Sequence, residues 1–236
     1  IPIRWIPSEF RWENYANMFH VLPIVRHTFN SLTITAFNIV GTLISSLLVA
    51  YGFARFRHPL REGLFILVLS TMMIPEQVTM IPQFILFSYL GWVNTYLPLI
   101  VPNSLGHPFN IFLIRQFIRT ISRQLDESAY IDGANSLQIL LRIIAPLCFP
   151  ILVTIGIFTF MTHWNDFLYP LIYLSEPMKF PLQLALYSLQ GDRQGITDYG
   201  MLFAASISAL IPPLILFSLL QKYIMGGIKI TGSLKG

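Results

Sequence analysis

The sequence predicts an all-α protein, a polytopic bundle of membrane helices, from its composition and from its long stretches without charge. Of its 236 residues, 54% are hydrophobic and only 11% are charged, whereas a soluble domain carries about 25% charged residues. Mean hydropathy is +0.63. Ionised side chains are too few to cover a water-facing surface, so hydrocarbon must contact much of the exterior. A soluble enzyme, a disordered chain and a disulfide-rich module are excluded, and the single Cys148 cannot form an internal disulfide.

Apolar stretches of the length that crosses a bilayer, about 20 residues, divide the chain into five predicted spans. These spans are 28–54, 63–90, 96–117, 146–173 and 199–221. The first contains no Asp, Glu, Lys or Arg. The second is interrupted at Pro75, and a turn is expected at 91–95, where Gly and Asn occur together. The fourth is extended past Asp166. Together the spans predict a membrane domain over 28–224.

Basic residues are distributed unevenly between the two sides that these spans define. One side holds ten of them: Arg55, Arg57, Arg61, Arg115, Arg119, Arg123, Arg142, Lys222, Lys229 and Lys235. The other side holds five: Arg4, Arg11, Arg26, Lys179 and Arg193. Cytoplasmic loops carry the excess of Lys and Arg, so the bias places the C-terminal tail, 225–236, in the cytoplasm. Topology thus explains the net positive charge, and no nucleic-acid partner is expected.

Residues 1–27 lie outside the cytoplasm in this topology. We therefore expect a first helix that precedes Ile1 and is missing from this sequence. A five-span protein with a processed N-terminus is the alternative.

The predicted cytoplasmic loop, 118–145, has the composition of a docking element. Asp126 and Glu127 suit the N-terminus of a helix, where the macrodipole favours anions. Small residues that let another surface approach the backbone follow: Ser128, Ala129, Gly133 and Ala134. Two short helices joined at Gly133 would fit this pattern. A solvated amphipathic connector is the alternative.

The sequence Glu127-Ser128-Ala129, followed by Gly133 and then by Ile143 and Pro146, resembles the cytoplasmic signature loop of bacterial ABC-importer permeases. Ser128 stands where that pattern usually has Ala, and Ala145 where it usually has Leu. Further blocks resemble the carbohydrate-uptake branch of the family in the same order: Asn14-Tyr15, Asn30-Ser31-Leu32, 50–55, Met73-Ile74-Pro75, Trp164-Asn165-Asp166-Phe167 and Lys235-Gly236. The resemblance covers essentially the whole chain.

The resemblance implies a type I ABC-importer permease fold in a bacterial cytoplasmic membrane, and a subunit that translocates a sugar or oligosaccharide. The partners it implies are a second homologous permease in a heterodimer, two ATPase subunits that bind ATP and Mg, an extracytoplasmic solute-binding protein, the sugar and membrane lipid. Residues that match the motif coupling permease to ATPase are Glu127, Ser128, Ala129, Asp132, Gly133 and Ala134.

No phosphate-binding loop of the Gly-x-x-x-x-Gly-Lys-Ser/Thr type occurs in the sequence. We therefore assign ATP hydrolysis to separate subunits. No catalytic, cofactor or metal site is expected in this chain.

Polar residues inside the predicted spans are candidates for the transport pathway, because ionisable groups in a membrane usually face a water-filled cavity or a partner. A continuous helix over 146–173 would place one polar stripe within a third of its circumference: Thr159, Thr162, His163, Asp166, Tyr169 and Tyr173. Glu76 follows Pro75, where a kink is expected. The candidate pathway residues are Glu76, Thr162, His163, Asn165, Asp166 and Tyr169.

For Glu76 and Asp166, the two acids of this set, a structural role is the alternative to a role in the pathway. Asp166 would pair with a base near the outer interface, and Glu76 would bond to a neighbouring helix. Because no Arg or Lys lies deep in a predicted span, a neutral, hydroxylated cargo is expected.

A secondary, ion-coupled sugar transporter or a channel is the alternative function. It would use Glu76 or Asp166 for ion coupling and would need no ATP. An intramembrane hydrolase built on His163 and Asp166 is a further alternative.

Overall fold

A computed structural model describes residues 11–189 and 199–232, and side chains up to residue 221. The described residues form α-helices joined by short 3-10 and π turns, and none of them lies in a β-strand. The helices are α1 (Glu13–Val21), α2 (Ile24–Arg55), α3 (Arg61–Ser70), α4 (Glu76–Tyr89), α5 (Leu97–Ile100), α6 (Pro108–Thr120), α7 (Gln124–Ile131), α8 (Ser136–Ile139), α9 (Ala145–Leu147), α10 (Phe149–Trp164), α11 (Leu168–Tyr173), α12 (Leu182–Ser188) and α13 (Tyr199–Gly232). The predicted all-α class is confirmed.

Some of the predicted features lie outside this description. Arg4, Arg193 and the Lys235-Gly236 block fall outside the described residues, and the side chains of Lys222 and Lys229 are not described.

The central helix is α2, which packs against α6, α10 and α12. Its 32 residues extend about 48 Å, enough to cross a hydrocarbon core of about 30 Å. The helix ends at Arg55, before Pro59, which cannot continue it. Its buried face is a stripe of small and polar residues at helical spacing: Ser31, Thr35, Asn38, Thr42, Ser46 and Ala50. Small residues let membrane helices approach closely.

The predicted third span, 96–117, is a broken segment that consists of α5, a 3-10 turn (Asn103–Leu105) and α6. Its interruption leaves carbonyl groups without helical partners, and α2 supplies the donors. Asn38 Nδ2 donates to the Leu99 carbonyl at 3.0 Å, and Thr42 Oγ1 donates to the Asn103 carbonyl at 2.9 Å. Irregular backbone is tolerated at membrane depth only where such partners exist. The polar stripe of α2 therefore holds the break in place.

The predicted second span, 63–90, is not one helix. The segment Arg61–Met73 and α4 meet at 94°. Pro75 lacks an N–H donor and keeps Ile74 extended, with φ −84° and ψ 114°, because the α region is disfavoured before proline. The expected kink is present, and it is a sharp bend.

The predicted continuous helix over 146–173 is wrong. The helical segment Ser136–Leu147 meets α10 at 76°, and α10 ends at Trp164. The chain becomes helical again only at Leu168. In an unbroken helix, the ring of Pro170 would clash with the carbonyl of Asp166 and leave it without a donor. The break at 165–167 avoids both penalties.

Among residues 11–189 and 199–232, three helical segments are long and apolar enough to cross a membrane: α2, Leu97–Thr120 and the Tyr199–Gln221 part of α13. The number rises to five if each bent pair crosses as one span. The helix α13 continues to Gly232, so helical structure extends into the segment expected to be a tail from residue 225.

Candidate functional site

A cavity of about 560 Å³ lies between α2, α10 and the broken segments beside them. Five of the six candidate pathway residues line it: Glu76, Thr162, His163, Asp166 and Tyr169. The other lining residues are Thr42, Pro102, Asn103, Gly106, His107, Phe109, Asn110, Phe158, Thr159 and Met161. Five of the six residues of the predicted stripe thus line one cavity together with Glu76, although the continuous helix that predicted the stripe is absent and Tyr173 is not among the lining residues.

The break after α10 arranges the polar groups on one wall of the cavity. Thr162 and His163 lie in the last turn of α10, and Asp166 lies in the link that follows. Asp166 Oδ1 accepts a hydrogen bond from the backbone N–H of Tyr169 at 3.3 Å. A carboxylate at a helix N-terminus is stabilised by its free N–H groups and by the macrodipole. Asp166 therefore holds the start of α11 against the cavity.

Glu76 and Tyr169 connect the two bends of the chain. Glu76 is the first residue of α4, directly after the 94° bend. Tyr169 Oη donates a hydrogen bond to Glu76 Oε2 at 3.2 Å. Two carboxylates and two imidazoles line the cavity, and none of the lining residues that the structure describes is Lys or Arg. The wall contributed by this chain therefore offers hydrogen-bonding and acidic groups, together with aromatic faces.

Asn165 and Tyr173 are not among the described lining residues of the cavity. Asn165 Nδ2 donates to the Met161 carbonyl at 2.7 Å, and Asn165 Oδ1 faces Gln183. Tyr173 is buried against Phe84 and Phe87. Both positions depend on the break at 165–167, which changes the direction of the chain.

Four polar lining residues were absent from the sequence prediction: Thr42, Asn103, His107 and Asn110. Three of them interrupt the apolar stretch 96–117. The rule that selected Glu76, a polar group inside a span, would have found them. Thr42 belongs to the polar stripe on α2. To find it from the sequence, one would have had to test the polar residues of the first span for helical spacing.

The loop between α6 and α10 contains the two short helices expected there, α7 and α8. They are joined at Gly133, whose φ of +82° lies in the left-handed region. Gly133 N–H donates to the Tyr130 carbonyl at 3.1 Å and Ala134 N–H to the Ala129 carbonyl at 2.9 Å, which closes the turn. Asn135 then caps α8 through a reciprocal pair with Gln138.

Most of the predicted coupling residues are exposed at the tip of this loop. Glu127, Ser128, Asp132 and Gly133 are exposed, Ala134 is half-buried, and Ala129 packs inward. Beside them, the Ile131 side chain is 87% exposed. The tip therefore combines small, acidic and apolar groups on an accessible surface.

Asp126, in the first turn of α7, fastens the loop to α2. Its Oδ2 lies 2.6 Å from Arg55 Nε, and the two side chains are only 11% and 6% exposed. Burial raises the pKa of the Asp126 carboxyl, although the Arg55 and Arg123 guanidinium groups oppose this shift. Desolvation therefore outweighs the attraction of the arginines, and we interpret the pair as a link that positions the loop.

Arg115 was assigned to the cytoplasmic segment after the third span, but it is a buried residue of α6. Its side chain is 3% exposed, and its Nη2 lies 2.7 Å from both carboxylate oxygens of Glu62. Its guanidinium also lies over the Phe65 ring, 3.9 Å from the centroid. Arg115 thus connects α6 to α3 at the end of the bundle that carries the α7–α8 loop.

At the opposite end, the segment between α11 and α12 is fastened to the start of α2. His27 Nδ1 lies 2.8 Å from the Phe180 carbonyl, and Asn30 Nδ2 donates to the same carbonyl at 3.0 Å. Lys179 pairs with Glu176 at 2.7 Å, and this hydrogen bond lowers the pKa of the Glu176 carboxyl. Arg26 and Lys179, from one predicted side, thus lie near the start of α2, whereas Arg55, from the other predicted side, lies at its end.

Within the described part of the chain, no group of three His, Cys, Asp or Glu side chains is placed to hold a metal ion. The chemistry that this geometry offers is recognition inside the cavity and docking at the loop.

Residues 38–229 match the protein family described as "Binding-protein-dependent transport system inner membrane component". The chain is 35% identical over 232 residues to the probable ABC transporter permease protein YurM of Bacillus subtilis, covering 98% of this chain and 76% of that protein. It is 35% identical over 231 residues to the arabinooligosaccharides transport system permease protein AraQ of the same organism, covering 98% and 81%.

Solved structures show the same architecture. A chain of a bacterial ABC transporter involved in the import of the acidic polysaccharide alginate superposes with a TM-score of 0.83 at 26% identity, covering 92% of this chain and 81% of that chain. These matches confirm the resemblance and the ABC-importer permease fold. The chain belongs to the family of inner-membrane components of binding-protein-dependent transport systems, and it is a permease, a transport component rather than an enzyme.

Proposed function

We propose that this permease translocates a sugar or oligosaccharide in an ATP-driven importer, and that the cavity beside Glu76, Asp166 and Tyr169 is its part of the pathway. The observation that carries the proposal is the position of a polar cavity far from both ends of α2. Thr42, on its wall, lies about 27 Å along the helix from Ile24 and about 20 Å from Arg55. At such depth, polar groups are costly unless they face water, a ligand or one another.

The chemistry of the wall supports a sugar as cargo. A sugar presents hydroxyl groups and an apolar ring face, and binding sites recognise such ligands with a few placed polar groups among aromatic surfaces. The cavity combines the carboxylates of Glu76 and Asp166 with the Tyr169 ring. Among the relatives, one is a melibiose/raffinose/stachyose import permease of Bacillus subtilis, 32% identical to this chain.

The α7–α8 loop is the proposed contact with the ATPase. Its exposed residues Glu127, Ser128, Asp132 and Gly133, together with Ala129 and Ala134 behind them, form the coupling element. The Arg55–Asp126 pair transmits movement of the loop to α2, and α2 carries Thr42 in the cavity wall. ATP-driven displacement of the loop thereby changes the pathway about 20 Å away along one rigid helix.

The remaining partners follow from this role. A solute-binding protein delivers the cargo, in line with the description of the family as binding-protein-dependent. A second homologous permease completes the pathway as a heterodimer, and two ATPase subunits bind ATP and Mg. The ten-to-five bias of basic residues supports a cytoplasmic C-terminus.

The test is sugar uptake in proteoliposomes that contain the complete transporter and its binding protein. Asp166→Asn and Tyr169→Phe should reduce uptake while leaving assembly and basal ATPase activity unchanged. Tyr89→Phe is the matched control, because Tyr89 is 87% exposed and lies outside the cavity lining. Normal uptake kinetics in both cavity variants would show that Asp166 and Tyr169 have a structural role and no role in the transport pathway. Uptake that persists without the ATPase subunits would favour the ion-coupled alternative.

A further inference from the structure

A basic pocket of about 370 Å³ opens at the end of the bundle that carries the α7–α8 loop. Five arginines line it, from the end of α2, the start of α3, the second half of α6 and the position directly before α7: Arg55, Arg61, Arg115, Arg119 and Arg123. A neighbouring cavity shares Arg61 and Arg123 with this pocket and adds Arg57 and His58. We call the first of these cavities the arginine pocket.

The charges of the arginine pocket are not balanced by the carboxylates of the residues that the structure describes. Asp126 pairs with Arg55, and Glu62 pairs with both Arg61 and Arg115. Five guanidinium groups therefore face two carboxylates, which leaves three positive charges. Among the described residues, neither Arg119 nor Arg123 forms an ion pair in direct contact with a carboxylate, although Arg123 attracts the Asp126 carboxyl from a greater distance. Low-dielectric walls lined by one sign of charge raise the local concentration of counter-ions, so the pocket favours an anion.

We infer that the arginine pocket binds a phosphate-bearing anion. The guanidinium group presents its donors in a planar fork that matches phosphate oxygens, and several such groups converge here. The side chains of Arg55 and Arg115 are buried in the wall and already paired with Asp126 and Glu62, so the exposed Arg119 and Arg123 are the groups most open to an incoming anion. The inference does not depend on which cargo the permease carries.

An anionic phospholipid is the source of phosphate that the surroundings favour. The pocket lies where helices of membrane-spanning length end, the level at which headgroups meet cytoplasmic arginines. Phe56 and Leu60, which follow α2, are 50% and 62% exposed and offer an apolar surface beside the pocket. Inorganic phosphate would use the same donors without this surface.

Occupancy of the pocket would also affect the loop. Arg123 lies in the pocket wall and is the residue directly before α7. Arg55, also in the wall, holds Asp126 in the first turn of α7. An anion bound between them therefore orders the helix that presents the coupling residues, and should increase ATPase stimulation by the loaded binding protein.

The experiment is a lipid titration of the complete transporter, followed by native mass spectrometry. Phosphatidylglycerol should bind in preference to phosphatidylcholine. Because a surface basic residue contributes about 1 kcal/mol to binding of anionic lipid, Arg119→Gln should weaken binding about fivefold, and Arg119→Gln with Arg123→Gln roughly thirtyfold. Arg142→Gln is the matched control, since Arg142 lies on the π turn (Leu140–Ile144), outside the pocket lining.

The arms of the titration distinguish the two sources of phosphate. Displacement of phosphatidylglycerol by inorganic phosphate would assign the site to phosphate in general, and binding that phosphate does not displace would assign it to the lipid headgroup. Equal affinity for the two lipids, or an equal loss in Arg142→Gln and Arg119→Gln, would overturn the inference. Arg119 is exposed, so its variant should fold, which retention of the ATPase subunits in a pull-down would verify.

Discussion

The pair between Arg55 and Asp126 gives the sharpest prediction, because it links the coupling loop to α2 through two nearly buried charges. The change is Asp126→Ala, which removes the carboxylate 2.6 Å from Arg55 Nε. Breaking a fully buried pair costs about 3–5 kcal/mol, because the partner charge is left uncompensated. Arg55 keeps its hydrogen bond to the Ile121 carbonyl at 3.1 Å. We therefore expect the free energy of unfolding to fall by about 3 kcal/mol, the lower end of that range.

The assays are thermal unfolding of the purified transporter in detergent and ATPase stimulation by the sugar-loaded binding protein. The single variant should unfold at lower temperature and lose stimulation, because α7 is no longer held against α2. The double variant Arg55→Met with Asp126→Leu should recover most of the stability, since apolar replacement of a buried pair is often neutral or better. Burial raises the pKa of the Asp126 carboxyl, so the charged form carries a desolvation cost that an apolar pair would not have. This agrees with the recovery expected in the double variant.

The comparison of single and double variants also defines the results that would refute the proposed role of the Arg55–Asp126 pair. Unchanged unfolding and unchanged stimulation in Asp126→Ala would show that the pair neither holds the loop nor transmits movement. The single variants Arg55→Met and Asp126→Leu complete the cycle, and destabilisation in the double variant equal to the sum of their two losses would show that the two residues act independently.

Two further predictions concern glycines. The Gly133→Leu variant should insert in the membrane but lose either ATPase binding or ATPase stimulation. The Gly133→Ala variant, which shares the backbone strain at φ +82°, should retain most of both, as measured by a pull-down followed by an ATPase assay. An equally severe defect in the Ala variant would assign the loss to backbone strain. Gly41→Ala should destabilise the chain by about 1–3 kcal/mol, because its Cβ would lie 2.5 Å from Ser104 Cβ and 3.0 Å from Ser104 Cα. Gly52→Ala, with no atom within 4 Å of the new Cβ, is the control, and equal thermal unfolding of the two variants would contradict the predicted close approach.

Local sequence was sufficient where a feature depends on neighbours in the chain. The apolar stretch 28–54 determines a spanning helix, because every backbone group can be satisfied within it. Gly133 determines the turn between α7 and α8, because only glycine enters the left-handed region at little cost. The signature residues around Glu127, together with the further blocks in the same order along the chain, were sufficient to indicate the family.

The breaks show what local sequence cannot decide. Pro75 and Pro170 each predict that a helix is interrupted nearby, but the bend of 94° after Met73 depends on packing against other segments. Likewise, the break between α5 and α6 persists because Asn38 and Thr42, about 60 residues earlier in the chain, donate to its free carbonyl groups.

The cavity and the charge pairs, like the breaks, are features that the local sequence cannot decide. The sequence alone determined the membrane class, the family and the loop, since composition, helical spacing and turn chemistry are properties of contiguous residues. Only the tertiary structure decided that Glu76 meets Tyr169, that Asp126 meets Arg55 and that Asn165 is not among the described lining residues of the cavity. The reason is physical: a broken helix can leave its break in many directions, and the direction is chosen by distant groups that satisfy its exposed backbone and buried charges.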